Sequence, residues 1–210
     1  TRLPPALLAQ VRRETFCPQW GGVVRALEER IQEGDFRDSY ERELASLWQA
    51  KSEEIGLVAR RAEALGRRLR NRAWEFILCH ADIHVANLMI DRQDRMTIVD
   101  WDEATLAPKE RDLLFVAGGG GGIATIVEPR QEAFFFQGYG ETAIDPVALA
   151  YYRYDWAMQD IGDWARRVLL MPDAGAETKA DAMRYFCSLF EPRRIVESAL
   201  ASERDLPPGL

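Results

Sequence analysis

The sequence has few cysteines and no long apolar segment, and both absences exclude classes of protein. Its three cysteines, Cys17, Cys79 and Cys187, form an odd number without metal-type spacing, so neither a disulfide scaffold nor a zinc cluster is expected. No apolar run approaches the length of a membrane span, and Thr1 opens no signal-like segment. These features predict a cytoplasmic protein with reduced thiols and no membrane partner.

The chain also lacks an excess of positive charge. Its formal net charge is −7, which argues against nucleic acid as a partner. An acidic surface suits a cationic substrate, although most acidic proteins bind none. With 210 residues, of which 47% are hydrophobic and 29% charged, the composition is that of one globular domain with a sizeable core.

Histidine is scarce, and both histidines of the chain, His80 and His84, fall in one segment, residues 79–87. This segment contains an H-x-D motif that ends at Asp82, and an asparagine, Asn87, follows five residues later. A carboxylate such as that of Asp82 can accept the proton of an attacking hydroxyl group. The segment is therefore a candidate catalytic loop.

A D-x-D motif, formed by Asp100 and Asp102, follows this loop. The amide oxygen of Asn87 and the carboxylate of Asp100 are hard oxygen ligands, which Mg²⁺ prefers. Asp102 is a further candidate on the metal side. The protein-kinase catalytic loop has the same H-x-D-x-x-x-x-N spacing, with a later aspartate on the metal. The spacing thus favours magnesium-dependent phosphoryl transfer.

Three short apolar runs predict strands around these motifs. The runs span residues 76–79, 87–91 and 96–100. The first is predicted to be a buried strand, and the polar stretch 91–95 predicts a hairpin turn between the other two. Asp82 and Asn87 would then lie on a loop between strands and Asp100 at a strand end, where a rigid scaffold commonly holds catalytic groups.

Each of these residues also has a plain structural explanation. Asp82 and Asn87 could each cap a turn, and His84 is better explained as a loop residue than as a catalyst. For His80 a structural role is favoured, in which the imidazole packs under the loop and holds it. Two strict spacings, a hairpin of suitable length and a hydrophobic strand before each motif together favour catalysis for Asp82, Asn87 and Asp100, and leave the role of Asp102 open.

The remainder of the chain has a helical pattern, so the predicted fold class is α+β and mostly helical. Helices are predicted at residues 4–15, 23–33, 39–70, 109–116, 128–137, 145–171 and 177–203. The predicted helix 39–70 carries one apolar stripe. In the predicted helix 128–137, Phe134–Phe136 are expected to face a core. Pro192 is predicted to kink the last helix, 177–203. A small β-hairpin carries the catalytic loop.

A run of five glycines, Gly118–Gly122, follows the helix 109–116. A phosphate-binding loop is one interpretation, but the run lacks G-x-x-x-x-G-K-[ST] and the dinucleotide fingerprint. A flexible loop near the substrate entrance is the favoured interpretation.

The predicted helix 145–171 is rich in aromatic residues and carries Asp155, Gln159 and Asp163 four residues apart on one face. Carboxylates beside aromatic rings suit a ligand that bears an ammonium group. An amphipathic helix with a solvated acidic edge explains the same pattern, so both interpretations stay open here.

The sequence resembles the aminoglycoside phosphotransferase branch of the kinase-like fold, and within it the spectinomycin phosphotransferases. The similarity is strong over residues 75–155. It lies in the segments 76–84, 98–103, 106–113, 138–140 and 144–153. The resemblance implies ATP and Mg²⁺ as cofactors, a cationic small molecule as the hydroxyl substrate, and transfer of the γ-phosphate to an aminoglycoside or aminocyclitol.

The resemblance also implies roles for individual residues. Asp82 would be the catalytic base, Asn87 and Asp100 would be the magnesium ligands, and Asp112 would have a structural role. It favours substrate binding for three residues of the aromatic helix, Asp155, Trp156 and Asp160.

The chain departs from that family before residue 75, where a small β-sheet lobe would cover ATP. No Gly-rich turn between strands occurs there, and the only lysine is Lys51, in a charged helical pattern. We therefore expect residues 1–210 to form the C-terminal lobe alone, inactive in isolation, with the N-terminal lobe separate or missing. A kinase of another small alcohol (choline, homoserine or a sugar) and a non-catalytic module remain as alternatives.

Overall fold

The computed structural model describes residues 4–119 and 127–210. Its helices are α1 (Pro5–Leu8), α2 (Gly21–Glu33), α3 (Ser39–Ala50), α4 (Ser52–Leu69), α5 (Glu110–Leu113), α6 (Pro129–Tyr139), α7 (Pro146–Leu169), α8 (Ala176–Ser188) and α9 (Ile195–Ala201). Its strands are β1 (Arg12–Arg13), β2 (Ile77–Cys79), β3 (Leu88–Ile90), β4 (Met96–Ile98) and β5 (Thr105–Ala107). The mostly helical α+β prediction is confirmed. None of the described helices has the length and hydropathy needed to cross a membrane.

Helix α7 is the centre of the fold, and α2, α4, α8 and α9 pack around it. It begins as the sequence predicts, because the Asp145 side chain accepts hydrogen bonds from the backbone N–H groups of Val147 and Ala148, each at 3.0 Å. Pro146 occupies the first helical position, where its missing N–H group costs nothing. Most of its residues are buried, and the tyrosines Tyr151, Tyr152 and Tyr154 are at most 1% exposed.

The predicted helix 39–70 is two helices, α3 and α4, that meet at Lys51. Lys51 leaves helical geometry at φ −106° and ψ 8°, and its N–H group donates to Leu47 O at 3.0 Å. The predicted apolar stripe is buried throughout, and both helices contact α7. The stripe consists of Leu44, Trp48, Ile55, Val58, Ala62, Leu65 and Leu69. The change of direction at Lys51 keeps both halves of the stripe against the same helix.

The predicted helix 4–15 is wrong beyond Leu8. Residues 12–13 form β1, which pairs in parallel with β5, with Arg12 opposite Thr105. Glu14 N donates to Leu106 O at 2.9 Å and extends this pairing. A backbone partner more than 90 residues away overrides the local helical preference, which is a weak determinant by itself.

Two further predictions about helices, one on the last helix and one on α6, also need correction. The predicted helix 177–203 is divided into α8 and α9, because the segment between them contains Pro192, which has no N–H group to donate, and Arg193 at φ 62°. The phenylalanines of α6 do not face a core, since Phe134 and Phe135 are 59% and 37% exposed. Their rings pack within the helix instead, with Phe135 on Tyr139 at 5.2 Å.

The strands form two small sheets. One sheet has the order β1–β5–β2, and the other is the antiparallel hairpin β3–β4, in which Leu88 lies opposite Ile98. The hairpin and its turn at residues 91–95 agree with the prediction. Strand β2 is not fully buried, because Ile77 is 41% exposed and only Cys79 is in the interior. Residues 120–126, with most of the glycine run, lie outside the described residues.

Candidate active site

The loop after β2 is fixed to the fold by Asp112, which lies in α5, the short helix that follows β5. Its two carboxylate oxygens accept hydrogen bonds from the backbone N–H groups of His80, at 2.9 Å, and Ala81, at 2.7 Å. Ala81 has a left-handed backbone, with φ 70°, so the chain turns sharply just before Asp82.

The His80 ring connects this loop to the strand that precedes the D-x-D motif. Its Nδ1 accepts the N–H group of Asp82 at 3.2 Å, and its Nε2 lies 2.8 Å from Val99 O. Because Nδ1 accepts the Asp82 N–H group, Nε2 is the ring nitrogen that can donate to Val99 O. The ring is 1% exposed and packs on Trp101 at 4.7 Å. His80 therefore holds two site segments together and is not presented to a substrate.

Asn87 ends a short 3₁₀ turn, Val85–Asn87, and is 7% exposed. Its Nδ2 donates to the backbone oxygen of Asp82 at 2.8 Å and to Asp82 Oδ2 at 3.2 Å. Because both contacts use the amide nitrogen, the amide oxygen of Asn87 is left for another partner. The spacing of five residues thus brings a carboxylate and an amide into direct contact.

Several neighbouring groups influence the pKa of the Asp82 carboxylate. Its side chain is 25% exposed, and Oδ1 lies 3.5 Å from Nε2 of His84. Burial raises the pKa of Asp82, while His84, Asn87 and His80 oppose that rise and the charge of Asp100 adds to it. Asp82 and Asp100 therefore lie close enough to interact electrostatically, although 18 residues separate them in the chain.

The two aspartates of the D-x-D motif both lie after β4 and are both exposed. Asp100 comes two residues after β4 and not at the strand end, has φ 64°, and is exposed. Asp102 is also exposed, in the turn that follows Trp101. Within residues 4–119 and 127–210, no three His, Cys, Asp or Glu side chains are grouped to hold a metal ion. A magnesium site here would therefore depend on the oxygen of Asn87 together with Asp100, and these hard oxygen donors fit that ion.

Helix α7 presents its polar residues on two faces. Asp160 is 6% exposed, and burial, together with the charges of Asp163 and Asp82, raises its pKa to about 8. Trp156, one turn before it, is 3% exposed and packs edge-on against Phe115 at 4.8 Å. This face is directed toward the Asp82 loop, and both side chains lie beneath the surface, so their predicted substrate role stays a prediction.

Asp155 lies on the other face and lines a cavity of about 530 Å³ between α7 and the segment 12–20. Burial raises the pKa of Asp155 to about 6, and the nearby Arg111 opposes that rise. The cavity is also lined by Gln159 and by Ala81, the neighbour of Asp82. The structure therefore separates Asp155 from Asp160, which the sequence prediction had grouped.

Sequence reasoning missed the charged residues of this cavity other than Asp155 of α7. They are Arg12, Arg13, Glu14, Glu103 and Arg111. The first three reach the cavity because β1 pairs with β5. No local pattern indicates that pairing, since the residues come from segments with no motif of their own.

Comparison with known proteins identifies relatives of the chain. The model of the APH phosphotransferase enzyme family matches residues 2–152, and no curated protein matches. The crystal structure of spectinomycin phosphotransferase, APH(9)-Ia, with ADP and spectinomycin is 31% identical, with a TM-score of 0.83 over 97% of this chain and 61% of that chain. Its AMP-bound complex is 30% identical, with a TM-score of 0.82 over 97% of this chain and 62% of that one.

The chain therefore spans less than two thirds of the length of these structures. Its helices and small sheets match their kinase-like architecture, as the sequence predicted. The family match covers more than half of the chain and includes the loop that carries Asp82 and Asn87. On these grounds the chain belongs to the APH phosphotransferase enzyme family.

Proposed function

We propose that this chain carries the catalytic base, the metal ligands and the acceptor side of an ATP-dependent phosphotransferase. The proposed acceptor is a hydroxyl group of an aminoglycoside or aminocyclitol antibiotic of the spectinomycin type. One observation carries the proposal. The Asp82 carboxylate contacts Asn87 at 3.2 Å and interacts with Asp100, on a loop fixed at both of its ends. The relatives bind ADP, AMP and spectinomycin, which supports the same ligand classes for this chain.

Asp82 is the proposed general base. Its partly exposed carboxylate would accept the proton of the substrate hydroxyl as the oxygen attacks the γ-phosphoryl group. Because burial raises its pKa, Asp82 is a stronger base than a solvated aspartate. Asn87 donates to Oδ2 and to the backbone oxygen of Asp82, while Asp112 and His80 accept the backbone N–H groups of residues 80–82, so the carboxylate is held in place. Positioning of this kind supplies most of the catalysis in phosphoryl transfer.

The proposed magnesium ligands are the amide oxygen of Asn87 and the carboxylate of Asp100, with Asp102 as a further group on the metal side. When bound, magnesium supplies positive charge against the phosphoryl oxygens. Asp160 and Trp156 lie below the same surface, and we propose that they shape the acceptor side. The net charge of −7 suits a cationic acceptor.

We further propose that residues 1–210 form the C-terminal lobe and that the nucleotide is also held by a lobe outside them. The support is that the nucleotide-bound relatives are longer than this chain. The chain by itself would then be inactive. Use of ATP and three unpaired cysteines support a cytoplasmic location, and phosphorylation of the antibiotic would give its host resistance.

The function is tested by joining the chain to the part of spectinomycin phosphotransferase that it does not cover. ADP release is measured with spectinomycin, an aminoglycoside, choline, homoserine and a sugar. We expect turnover of the aminocyclitol or the aminoglycoside. Turnover of choline, homoserine or the sugar alone would replace the antibiotic by another small alcohol. A folded chimera that phosphorylates none of them would favour a non-catalytic module.

In the active chimera, Asp82→Ala is expected to lower kcat by at least about 10²-fold, the low end for a positioned base. The control is Asp173→Ala, at an exposed position in the turn after α7, which should keep the activity of the unmodified protein. An Asp82→Ala chimera with unchanged kcat would remove Asp82 from the role of base.

A further inference from the structure

The cavity that Asp155 lines is distinct from the proposed catalytic site. Its volume is about 530 Å³, within the range of small-molecule sites. None of the residues proposed for phosphoryl transfer lines it. Its charged lining consists of Arg12, Arg13, Arg111, Glu14, Glu103 and Asp155. Three arginines and three carboxylates give a cavity that is polar and balanced in charge.

Arg111 is the most deeply buried of the three arginines in this lining. The residue is 9% exposed, and its Nη1 is covered by protein without a hydrogen-bond partner among the described residues. Its guanidinium group lies over the rings of Tyr152, at 5.6 Å, and Trp156, at 5.8 Å. A buried guanidinium group without a carboxylate partner is costly, so an anionic group in the cavity that Arg111 lines would offset that cost.

Asp155 is the corresponding anion. Its Oδ1 is covered and has no hydrogen-bond donor within the described part of the chain. Arg111 is near enough to lower the pKa of Asp155, yet no ion pair between the two is found among the described residues. Two opposite charges thus share one cavity, and each has an unsatisfied atom, but they do not satisfy each other.

We propose that this cavity binds a small zwitterion, whose ammonium group meets Asp155 and whose carboxylate meets Arg111. Both residues line the cavity, so charge-assisted hydrogen bonds at the two ends of the ligand would offset the cost of burying the two charges, and such bonds are about twice as strong as neutral ones. A ligand with no net charge matches the balanced lining. The inference goes beyond the proposed function, because it uses neither Asp82 nor the metal ligands.

The position of the cavity links it to the loop without merging the two sites. Asp155 and Gln159, four residues apart on α7, line the cavity, whereas Asp160 is on the face directed toward Asp82. Ala81 contributes to the cavity wall next to the catalytic residue. A bound zwitterion would therefore contact the segment that positions Asp82.

The test uses the complete 210-residue chain and calorimetry at pH 8, where Asp155 is ionised. The probes are ω-amino acids of increasing charge separation: glycine, β-alanine, 4-aminobutyrate and 6-aminohexanoate. Butylamine and butyrate are the single-charge controls. We expect one chain length to bind best and each single-charge analogue to bind at least about tenfold more weakly, because it leaves one buried charge unpaired.

Two variants locate the binding. Asp155→Asn, which preserves volume, should weaken the best probe at least about tenfold, and Arg111→Lys should weaken it as well. The matched control is Asp160→Asn, a buried aspartate on the same helix with a covered, unpaired oxygen, which does not line the cavity. Probe binding should be unchanged in that variant. Thermal unfolding confirms that each variant is folded.

Cys17 provides a second readout of binding that leaves Asp155 and Arg111 unchanged. It is an exposed thiol that lines the cavity, Cys79 is buried, and Cys187 can be changed to serine. In Cys187→Ser, the best probe should slow thiol labelling at Cys17. Failure of all four zwitterions to bind at 10 mM, about the weak end of what calorimetry resolves, would overturn the proposal. So would equal binding by Asp155→Asn.

Discussion

At the scale of single residues, Asp112 makes the contacts on which the Asp82 loop depends most directly. It satisfies two consecutive backbone N–H groups, at His80 and Ala81. Asp112→Ala would leave both donors without a partner in a largely buried place, at about 1–3 kcal/mol each. We expect the free energy of unfolding to fall by about 2–4 kcal/mol, measured by urea denaturation.

The control for this prediction is Asp181→Ala on α8. Asp181 is exposed and pairs only with the exposed Arg184, and such surface pairs contribute at most about 1 kcal/mol. A loss at Asp112 no larger than that of the control would mean that the two hydrogen bonds do not fix the loop.

Asp160 gives a prediction on pH dependence. Burial first, then the charges of Asp163 and Asp82, raises its pKa to about 8 from 3.8. Between these two pH values the folded chain binds more protons at this site than the unfolded chain, so Asp160 lowers the free energy of unfolding as pH rises. Asp160→Asn should be neutral near pH 4 and more stable than the unmodified chain at pH 9.

The stability difference at pH 9 has an upper limit of about 6 kcal/mol, since each pKa unit corresponds to about 1.4 kcal/mol. Urea denaturation at intervals from pH 4 to pH 9 measures it. The exposed Asp173→Asn should show no such trend. A constant difference between Asp160→Asn and the unmodified chain at all pH values would show that Asp160 is not held in a raised-pKa environment.

At the scale of elements, Gly66 of α4 lets residues 14–17, of which Glu14, Thr15 and Cys17 line the cavity, pack closely against the helix. A Cβ atom at Gly66 would lie 2.4 Å from the backbone oxygen of Phe16 and 3.1 Å from Cε2 of Tyr151. The absence of a side chain there lets residues 14–17 approach the helix. The helix pattern alone indicates only that glycine is unfavourable at this position.

Gly66→Ala is therefore expected to lower the free energy of unfolding by at least about 2 kcal/mol, because overpacking outweighs the gain in helix propensity. Gly56→Ala on the same helix is the matched control. There the new Cβ would meet only the flexible end of Arg60 at 2.9 Å, and a gain of about 0.5–1 kcal/mol is expected. Equal effects in urea denaturation would contradict the close approach at Phe16.

At the scale of the whole molecule, this chain covers 61% of the length of the ADP-bound relative. The residues proposed for catalysis lie within this chain. The lobe that covers the nucleotide is proposed to lie outside residues 1–210. We expect calorimetry of the isolated chain to show no micromolar affinity for Mg-ATP. Tight binding would mean that the chain holds the nucleotide without a second lobe.

The catalytic loop was predictable because its information is local. The spacing from His80 to Asp82 and Asn87 and the apolar runs around the hairpin act over a few residues, and the structure brings these groups together as the sequence indicated. The roles of Asp82, Asn87, Asp100 and Asp102 stay predictions. The predicted helix was wrong at residues 9–15, and Phe134 is exposed although it was predicted to face a core. No local pattern indicates either outcome, because packing with distant segments decides both.

The sequence by itself determined the family, the mostly helical fold and the order of the polar groups along the catalytic loop. It could do so because motif spacing and apolar periodicity are written in neighbouring residues. Only the tertiary structure decided that Asp155 and Asp160 serve different places, and that Arg111 and Asp155 share a cavity without forming an ion pair. Those facts follow from the pairing of β1 with β5 and from the packing of α5 on α7. Contacts between distant segments leave no periodic pattern in the sequence.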